Sequence, residues 1–324
     1  MKKLHLARLL AGAAFLGLAA CGQGDSAAIS DSQLPPFGKD VHSYAQPEEA
    51  RVTHVSLDLT PDFTTRRITG IARLAIQRGE GADSIVLDVR DLDIRRVTDA
   101  KGTPLGFNVG TPKEFMGSPL AIALPASGDT LVIEYVTSPD AGAVQWLEPA
   151  QTAGGRLPFM FTQGQAILTR TWVPTQDGPG IRQTYDAAVR VPAGMRAVMS
   201  AGHTGTEGEK DEQGRSVFRF SMEHPIPPYL IALAVGDIAF RAIGTKTGVY
   251  AEPSVVERAA GEFVEIDGMI AAAEKLYGPY RWGRYDLLVL PPSFPFGGME
   301  NPTLTFATPT ILAGDRSLVS LVAH

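Results

Sequence analysis

From residue 52 to about residue 243, apolar and polar residues alternate over short runs. Val55, Leu57 and Leu59 do so, as do Ile85, Leu87 and Val89, then Leu120, Ile122 and Leu124, then Leu131, Ile133 and Tyr135. Successive side chains of a strand point to opposite faces, so a period of two predicts half-buried strands. Lys101-Gly102, Ser127-Gly128-Asp129 and Gln213-Gly214 separate the runs as turn signals. Short strands joined by short polar turns make antiparallel sheets with one face on a core. The expectation for residues 49–245 is therefore an antiparallel β domain, a saddle-shaped sheet or a sandwich.

Near residues 244–250 the period changes. After Glu252-Pro253, the residues Val256, Ala260, Phe263, Ile266, Ile270, Ala273, Leu276 and Tyr277 recur at intervals of three and four, and Gly278-Pro279 closes the run. One face of an α-helix repeats in this way, which predicts a single amphipathic helix of about six turns with Pro253 in its first turn. Residues 285–290 then read as a strand ended by Pro291-Pro292, and a second apolar segment spans residues 303–312. Asp315 is placed to cap a final helix through Leu318, Leu321 and Val322. That helix has little apolar partner and shows no C-cap, so residues 246–324 are expected to be the first part of a domain. The fold class expected is mainly β, followed by a partial α+β segment.

The amino-terminal end carries a separate signal. Lys2 and Lys3 precede an apolar run over residues 9–20 broken only by glycines. A positive start, a short apolar core and small residues at its end describe an export signal over residues 1–20, too short for a spanning helix. Leu18-Ala19-Ala20-Cys21 resembles the bacterial lipoprotein signal, which implies lipidation of Cys21. Cys21 is the sole cysteine of the 324 residues, so no internal disulfide can form. Residues 21–48, rich in Gly, Ser, Asp, Gln and Pro, are expected to be a solvated tether. The implied location is outside the cytoplasm, facing the periplasm or held on the outer membrane, with membrane contact through the anchor only. Without residues 1–20 the chain carries 26 basic and 35 acidic residues, a formal charge of −9, which argues against a nucleic-acid partner.

Candidate chemistry concentrates near the other end. In Phe296-Gly297-Gly298-Met299-Glu300-Asn301, two glycines allow either a plain turn or close approach of a ligand backbone. Glu300 is either a solvated charge or the receiver of a positive group. His42, His54, His203 and His224 are widely spaced and show no ligand pattern. No Gly-x-Ser-x-Gly elbow or phosphate loop occurs, so serine-hydrolase and nucleotide-binding readings have no support.

Gly297-Gly298-Met299-Glu300-Asn301 resembles the exopeptidase motif of the zinc aminopeptidases, and Asp315-Arg316-Ser317-Leu318 through Val322-Ala323-His324 resembles the approach to their zinc helix. Gln145-Trp146-Leu147, Pro158-Phe159-Met160-Phe161-Thr162-Gln163, Gln165-Ala166-Ile167, Gly278-Pro279-Tyr280 and Trp282-Gly283-Arg284-Tyr285-Asp286 are similar to the leukotriene-hydrolase and aminopeptidase B branch. The resemblance implies a β saddle followed by the first part of a thermolysin-like catalytic domain. It also implies a zinc-dependent aminopeptidase acting on peptides with a free amino terminus. Gly297 and Gly298 would then offer backbone hydrogen bonds to substrate, with Phe296 and Met299 beside them, and Glu300 would pair with the α-ammonium. Gln163, Gln165 and Ala166 would line the first side-chain pocket.

His324 falls on the first histidine of the family's His-Glu-x-x-His helix and is the expected metal ligand. The glutamate base and the second histidine are not among the 324 residues, and catalytic zinc needs three protein ligands, so this stretch is expected to be a truncated, inactive chain that does not hold zinc stably. Gly164, Thr175 and Thr303 stand where the branch often has cysteine, and Phe296 where it commonly has tyrosine. Two other readings stay open: an exported module that binds peptide amino termini without cutting, and epoxide hydrolysis, by analogy alone.

Overall fold

The alternating runs fold into strands whose apolar residues face inward. Along Ala50–Asp62, Val52, Val55, Leu57 and Leu59 are buried. Val52 and Val55 are three apart, yet both point inward because the pairing with Arg67–Arg78 shifts between Val52 and His54. Such a bulge resets the alternation by one residue. The largest sheet runs Gly202–His203, Ser216–Ile226, Gln183–Val191, Ala50–Asp62, Arg67–Arg78, Thr130–Val136 and Asp93–Asp99, with Glu209–Lys210 also paired to Ser216–Ile226. One pair departs from the antiparallel expectation, since Ala50–Asp62 lies parallel to Gln183–Val191. Parallel neighbours need a long crossover, and most of the β domain lies between these two strands.

The computed structural model describes residues 40–203, 208–292, 294 and 297–324. The expected export signal, Cys21 and Phe296 lie outside the described residues. Two smaller sheets complete the β domain. One consists of Ser84–Val89, Ser118–Ala123 and Phe107–Val109, the other of Arg196–Met199, Leu233–Gly236, Phe159–Thr162 and Val144–Leu147. Leu74, Ile133, Trp172, Tyr185 and Val189 belong to its main core.

Residues 40–48, expected to belong to the tether, are instead fixed to this domain. The buried Asp88 carboxylate accepts hydrogen bonds from Ser43 Oγ at 2.6 Å and from the Tyr44 amide at 2.8 Å. The Tyr44 hydroxyl donates to the Gly117 carbonyl at 2.9 Å. Composition hides this attachment because polar bonds to distant residues hold the segment.

The second sheet runs Ala239–Ala242, Thr247–Ala251, Tyr285–Val289, Leu304–Ala307 and Gly298–Met299. It begins at Ala239, ahead of the change expected at residue 246. Its three central strands are parallel, and helices α1 (Val256–Glu262) and α2 (Ile266–Tyr277) form the crossover between Thr247–Ala251 and Tyr285–Val289. The single six-turn helix expected over this stretch is thus two helices. The chain leaves the helix in a turn over residues 263–265, where the Ile266 amide donates to the Phe263 carbonyl at 3.2 Å, and Phe263 and Ile266, at 1% and 2% exposure, both pack into the core under the sheet. Asp315 does not begin a helix either. Its carboxylate accepts from the Ser317 amide in a turn, and helix α3 spans only Ser320–Ala323.

An apolar core joins the two sheets' domains. Leu147, Phe159, Phe161, Val198 and Ala234 from the β domain meet Tyr250, Leu288, Phe294, Met299 and Phe306. The Phe161 and Phe294 rings meet edge to face, 5.5 Å between centroids. Glu252, only 4% exposed, adds a polar clamp by accepting from the Ala153 and Gly154 amides at 2.7 and 2.9 Å. Among the described residues, no helix is long and apolar enough to cross a membrane.

Candidate active site

A cleft of about 820 Å³ opens along the edge of the second sheet. Its walls come from α2, from the aromatic run Tyr277, Tyr280, Trp282 and Tyr285, from residues 297–307, and from α3. The helical apolar pattern explains one wall. Ile270 is half-buried, Ala273 is exposed, and Leu276 and Tyr277 are 75% and 87% exposed, so the later turns of α2 do not face the sheet core as its first turn does.

Gly298–Met299 is the outermost strand of its sheet. Gly298 pairs with Ala307 and Met299 with Phe306, and among the described strands the other edge has no partner. An unpaired edge presents a row of backbone donors and acceptors to which an extended peptide can add. A Cβ at Gly298 would lie 3.0 Å from the Phe306 carbonyl oxygen, so a side chain there would crowd the ladder. Met299 turns the other way, 3% exposed in the core between the domains. It therefore anchors the strand from beneath while its backbone shares in the cleft wall.

Glu300 follows immediately. It lines the cleft and is exposed, and among the described residues no hydrogen bond or ion pair engages its carboxylate. Most carboxylates nearby are committed. Glu274 accepts from the Tyr280 amide at 3.0 Å, and the nearly buried Asp286 is held by Arg284 through two bonds of 2.7 and 3.1 Å. Burial raises the Asp286 carboxyl above its ordinary range, and the Arg284 bonds oppose the shift. Burial is also what pushes the Tyr250 hydroxyl up to about 12 and the Tyr280 hydroxyl further up still. These groups are held by partners, whereas the Glu300 carboxylate is unengaged among the described residues.

His324 stands at the end of the last helical turn and lines the same cleft as Glu300. The turn before α3 is held from α1. The Glu262 carboxylate, 4% exposed, accepts from the Gly314 amide at 2.9 Å and the Arg316 amide at 2.8 Å. Among the described residues no group of three or more His, Cys, Asp or Glu could hold a metal ion. Zinc in a catalytic site takes three protein ligands, so the residues described do not by themselves fit the ion, and His324 stands as one candidate ligand.

The glutamine loop lies apart from these residues. Gln163, Gln165 and Ala166 do not line the cleft, Gln165 and Ala166 are exposed, and Gln163 Oε1 accepts from the Gln165 amide at 3.0 Å. The loop packs against the chain that forms the wall at Gly164, whose missing side chain admits the Tyr229 backbone, a Cβ there lying 2.9 Å from Tyr229 Cα. Leu230, the next residue, does line the cleft. The structure thus brings Gly297, Gly298, Glu300 and His324 together and leaves the glutamine loop one residue from the wall. The aromatic wall was not among the expected site residues. Its signal was the dense spacing of Tyr277, Tyr280, Trp282 and Tyr285 around the helix-ending Gly278.

This scaffold, a β domain bearing on a sheet whose glycine edge strand ends in a free carboxylate, is that of a peptidase family. Residues 49–230 match the Peptidase M1 N-terminal domain and residues 264–324 the Peptidase family M1 domain, and the chain belongs to peptidase family M1. Within that family it is similar to leukotriene A-4 hydrolase of Xenopus laevis, 45% identical over 291 residues, covering 88% of this chain and 48% of the relative. Aminopeptidase B of Mus musculus is 40% identical over 309 residues, covering 88% of this chain and 46% of its own. The solved structure of yeast LTA4 hydrolase in complex with bestatin superposes with a TM-score of 0.83 at 33% identity, covering 90% of this chain and 46% of that one. The chain spans about half the length of the curated relatives it matches.

Proposed function

We propose that this protein works as a zinc-dependent aminopeptidase, releasing residues from peptides with a free amino terminus. The observation that carries the reading is the unengaged Glu300 carboxylate beside the open edge of Gly298–Met299. An extended peptide lying along that edge would bring its α-ammonium to Glu300. A charge-assisted bond of this kind forms only at a chain end. Family membership supports peptide hydrolysis as the chemistry, with zinc as the metal and His324 as one of its ligands. When bound, the ion would supply a nucleophilic water at neutral pH. Residues 1–324 contribute recognition, and with one candidate imidazole they are expected to show no zinc-dependent turnover of aminoacyl anilides by themselves.

The protein is further proposed to be exported and anchored through a lipid on Cys21, with peptides as its partners and no nucleic acid. The lipoprotein-like segment Leu18-Ala19-Ala20-Cys21 supports the anchor.

The test of recognition is direct. A short peptide with a free amino terminus should bind the chain at least tenfold more tightly than its N-acetylated form by titration calorimetry. Glu300→Gln should abolish that preference without changing the unfolding midpoint. Equal binding of both peptides by the unaltered chain would sink the assignment of Glu300. A non-cutting amino-terminus binder would pass the same test, and only turnover by a polypeptide with a full set of zinc ligands, lost with chelator, separates the two.

A further inference from the structure

The point at which the described chain meets the β domain carries an exposed apolar tip that the peptidase reading leaves unused. Phe115 and Val41 are each 70% exposed, among the most exposed large apolar side chains described. Buried Arg170 ties their two segments together by donating to the Met116 carbonyl at 2.8 Å and the His42 carbonyl at 2.9 Å. Tyr44 strengthens the tie through its bond to the Gly117 carbonyl, with Lys113 Nζ 5.7 Å from its ring. Residues 41 and 115 therefore sit on one rigid patch, although 74 positions separate them in the chain.

Phe115 also holds a backbone conformation that side chains larger than glycine seldom take, with φ at 63°. A turn of this shape accepts glycine or asparagine at lower cost, and a phenylalanine 70% exposed adds little to the core. An aromatic ring held outward on a tight turn suits insertion at a membrane interface, where a planar apolar group settles among headgroups. Arg90, which donates to the Phe115 carbonyl, is paired with Asp91, and Lys113 and Glu114 precede Phe115 in the same turn, so acids and bases near the tip balance. The attraction is apolar and is too small to recruit the protein from solution.

We infer that the Phe115 turn and Val41 form a membrane-contact face, laid on the bilayer surface by the lipid at Cys21. This rests on the lipid anchor proposed above. The 19 residues from Cys21 to Lys39 lead from the acylated end to Asp40, at the edge of this patch. As the solvated tether its composition predicts, a stretch of that length would have a root-mean-square reach of about 25 Å, which would make the encounter intramolecular at millimolar effective concentration. A weak apolar tip suffices under those conditions. The substrate cleft shares no residue with the patch, so contact on this face leaves the cleft's lining free.

The acylated chain in phosphatidylethanolamine–phosphatidylglycerol vesicles tests this. Cys21 is the sole native cysteine, so once it is acylated, Phe115→Cys places one free thiol on the tip for an environment-sensitive fluorophore. Gln213→Cys, on an exposed turn of the Glu209–Lys210 hairpin, is the control. Nitroxide-labelled lipids should quench the probe at 115 at least threefold more than the probe at 213, with little change between 50 and 500 mM salt. With the native ring kept, vesicles should protect Lys113 from trypsin, and Phe115→Ser with Val41→Ser should remove that protection. Equal quenching at the two positions on acylated protein would overturn the contact. A Cys21 mass without acyl chains would overturn it through the anchor. Concentration-dependent quenching between copies without vesicles would assign the patch to self-association instead.

Discussion

Glu262 is the joint on which the placement of α3 depends, and its loss is predictable in size. The carboxylate is 4% exposed and accepts two backbone bonds, from Gly314 at 2.9 Å and Arg316 at 2.8 Å. It also steadies Arg316, whose φ of 62° is unfavourable for a residue with a side chain. Hydrogen bonds to a charged acceptor are worth about 1.5–3 kcal/mol each. Glu262→Gln keeps one acceptor oxygen and sets an amide donor against the other backbone N–H, so a loss of about 2 kcal/mol is expected. Glu262→Ala removes both bonds and should cost about 3–5 kcal/mol, more than α3 gains from its few contacts. Because α1 remains fixed through Val256, Ala259 and Phe263, the damage should stay local. Hydrogen exchange read by mass spectrometry should show amides of residues 314–324 exchanging about tenfold or more faster in Glu262→Gln, since about 1.4 kcal/mol is one decade. Amides of Tyr285–Val289 should be unchanged. If 314–324 exchange at the same rate in both proteins, Glu262 does not hold the turn and the account of how His324 is placed fails.

Other expectations concern the β domain and its junction. Arg170→Met leaves Asp88 and Asp177 buried without their cation, at 0% and 2% exposure, and should destabilise by about 3–5 kcal/mol in urea unfolding. A cost under 1 kcal/mol would show that the cluster is not charged as assigned. Burial pushes the Asp177 carboxyl up from 3.8 to about 6, so between those values the folded state keeps a proton that the unfolded chain has released. The stability this group contributes is full below the lower value and declines as pH rises through the upper one. Asp177→Asn should flatten the pH dependence of the urea midpoint in that interval, and an unchanged slope would refute the shift. Glu252→Ala frees the Ala153 and Gly154 amides and should raise exchange in residues 151–156 while leaving the apolar junction around Phe161 and Phe294 intact. Protection of that loop undiminished in the variant would rule out the clamp.

Much of the β domain was legible because alternation is local. Leu57, Ile85, Leu120 and Ile133 declare their buried face through their immediate neighbours, and each is buried. The break between α1 and α2 was not legible. Phe263 and Ile266 fit a continuous helical stripe and are both buried, so their spacing carries no sign of the turn over residues 263–265. The same holds for residues 40–48, whose polar composition is that of a solvated tether until Asp88 and Arg170 are brought to them from elsewhere in the chain.

The amino-acid sequence by itself determined the alternating β domain, the change of period that begins the second domain, the family, and the identity of Gly297, Gly298, Glu300 and His324 as candidates. Those properties reside in residue type and short spacing. Tertiary structure alone decided that Gly298–Met299 is an edge strand, that Met299 faces the core while Glu300 is left unengaged, and that the glutamine loop stands one residue behind the cleft. The reason is physical: whether a strand has an open edge, or a carboxylate a partner, depends on what distant segments bring beside it, and neither quantity is encoded in the spacing of its neighbours.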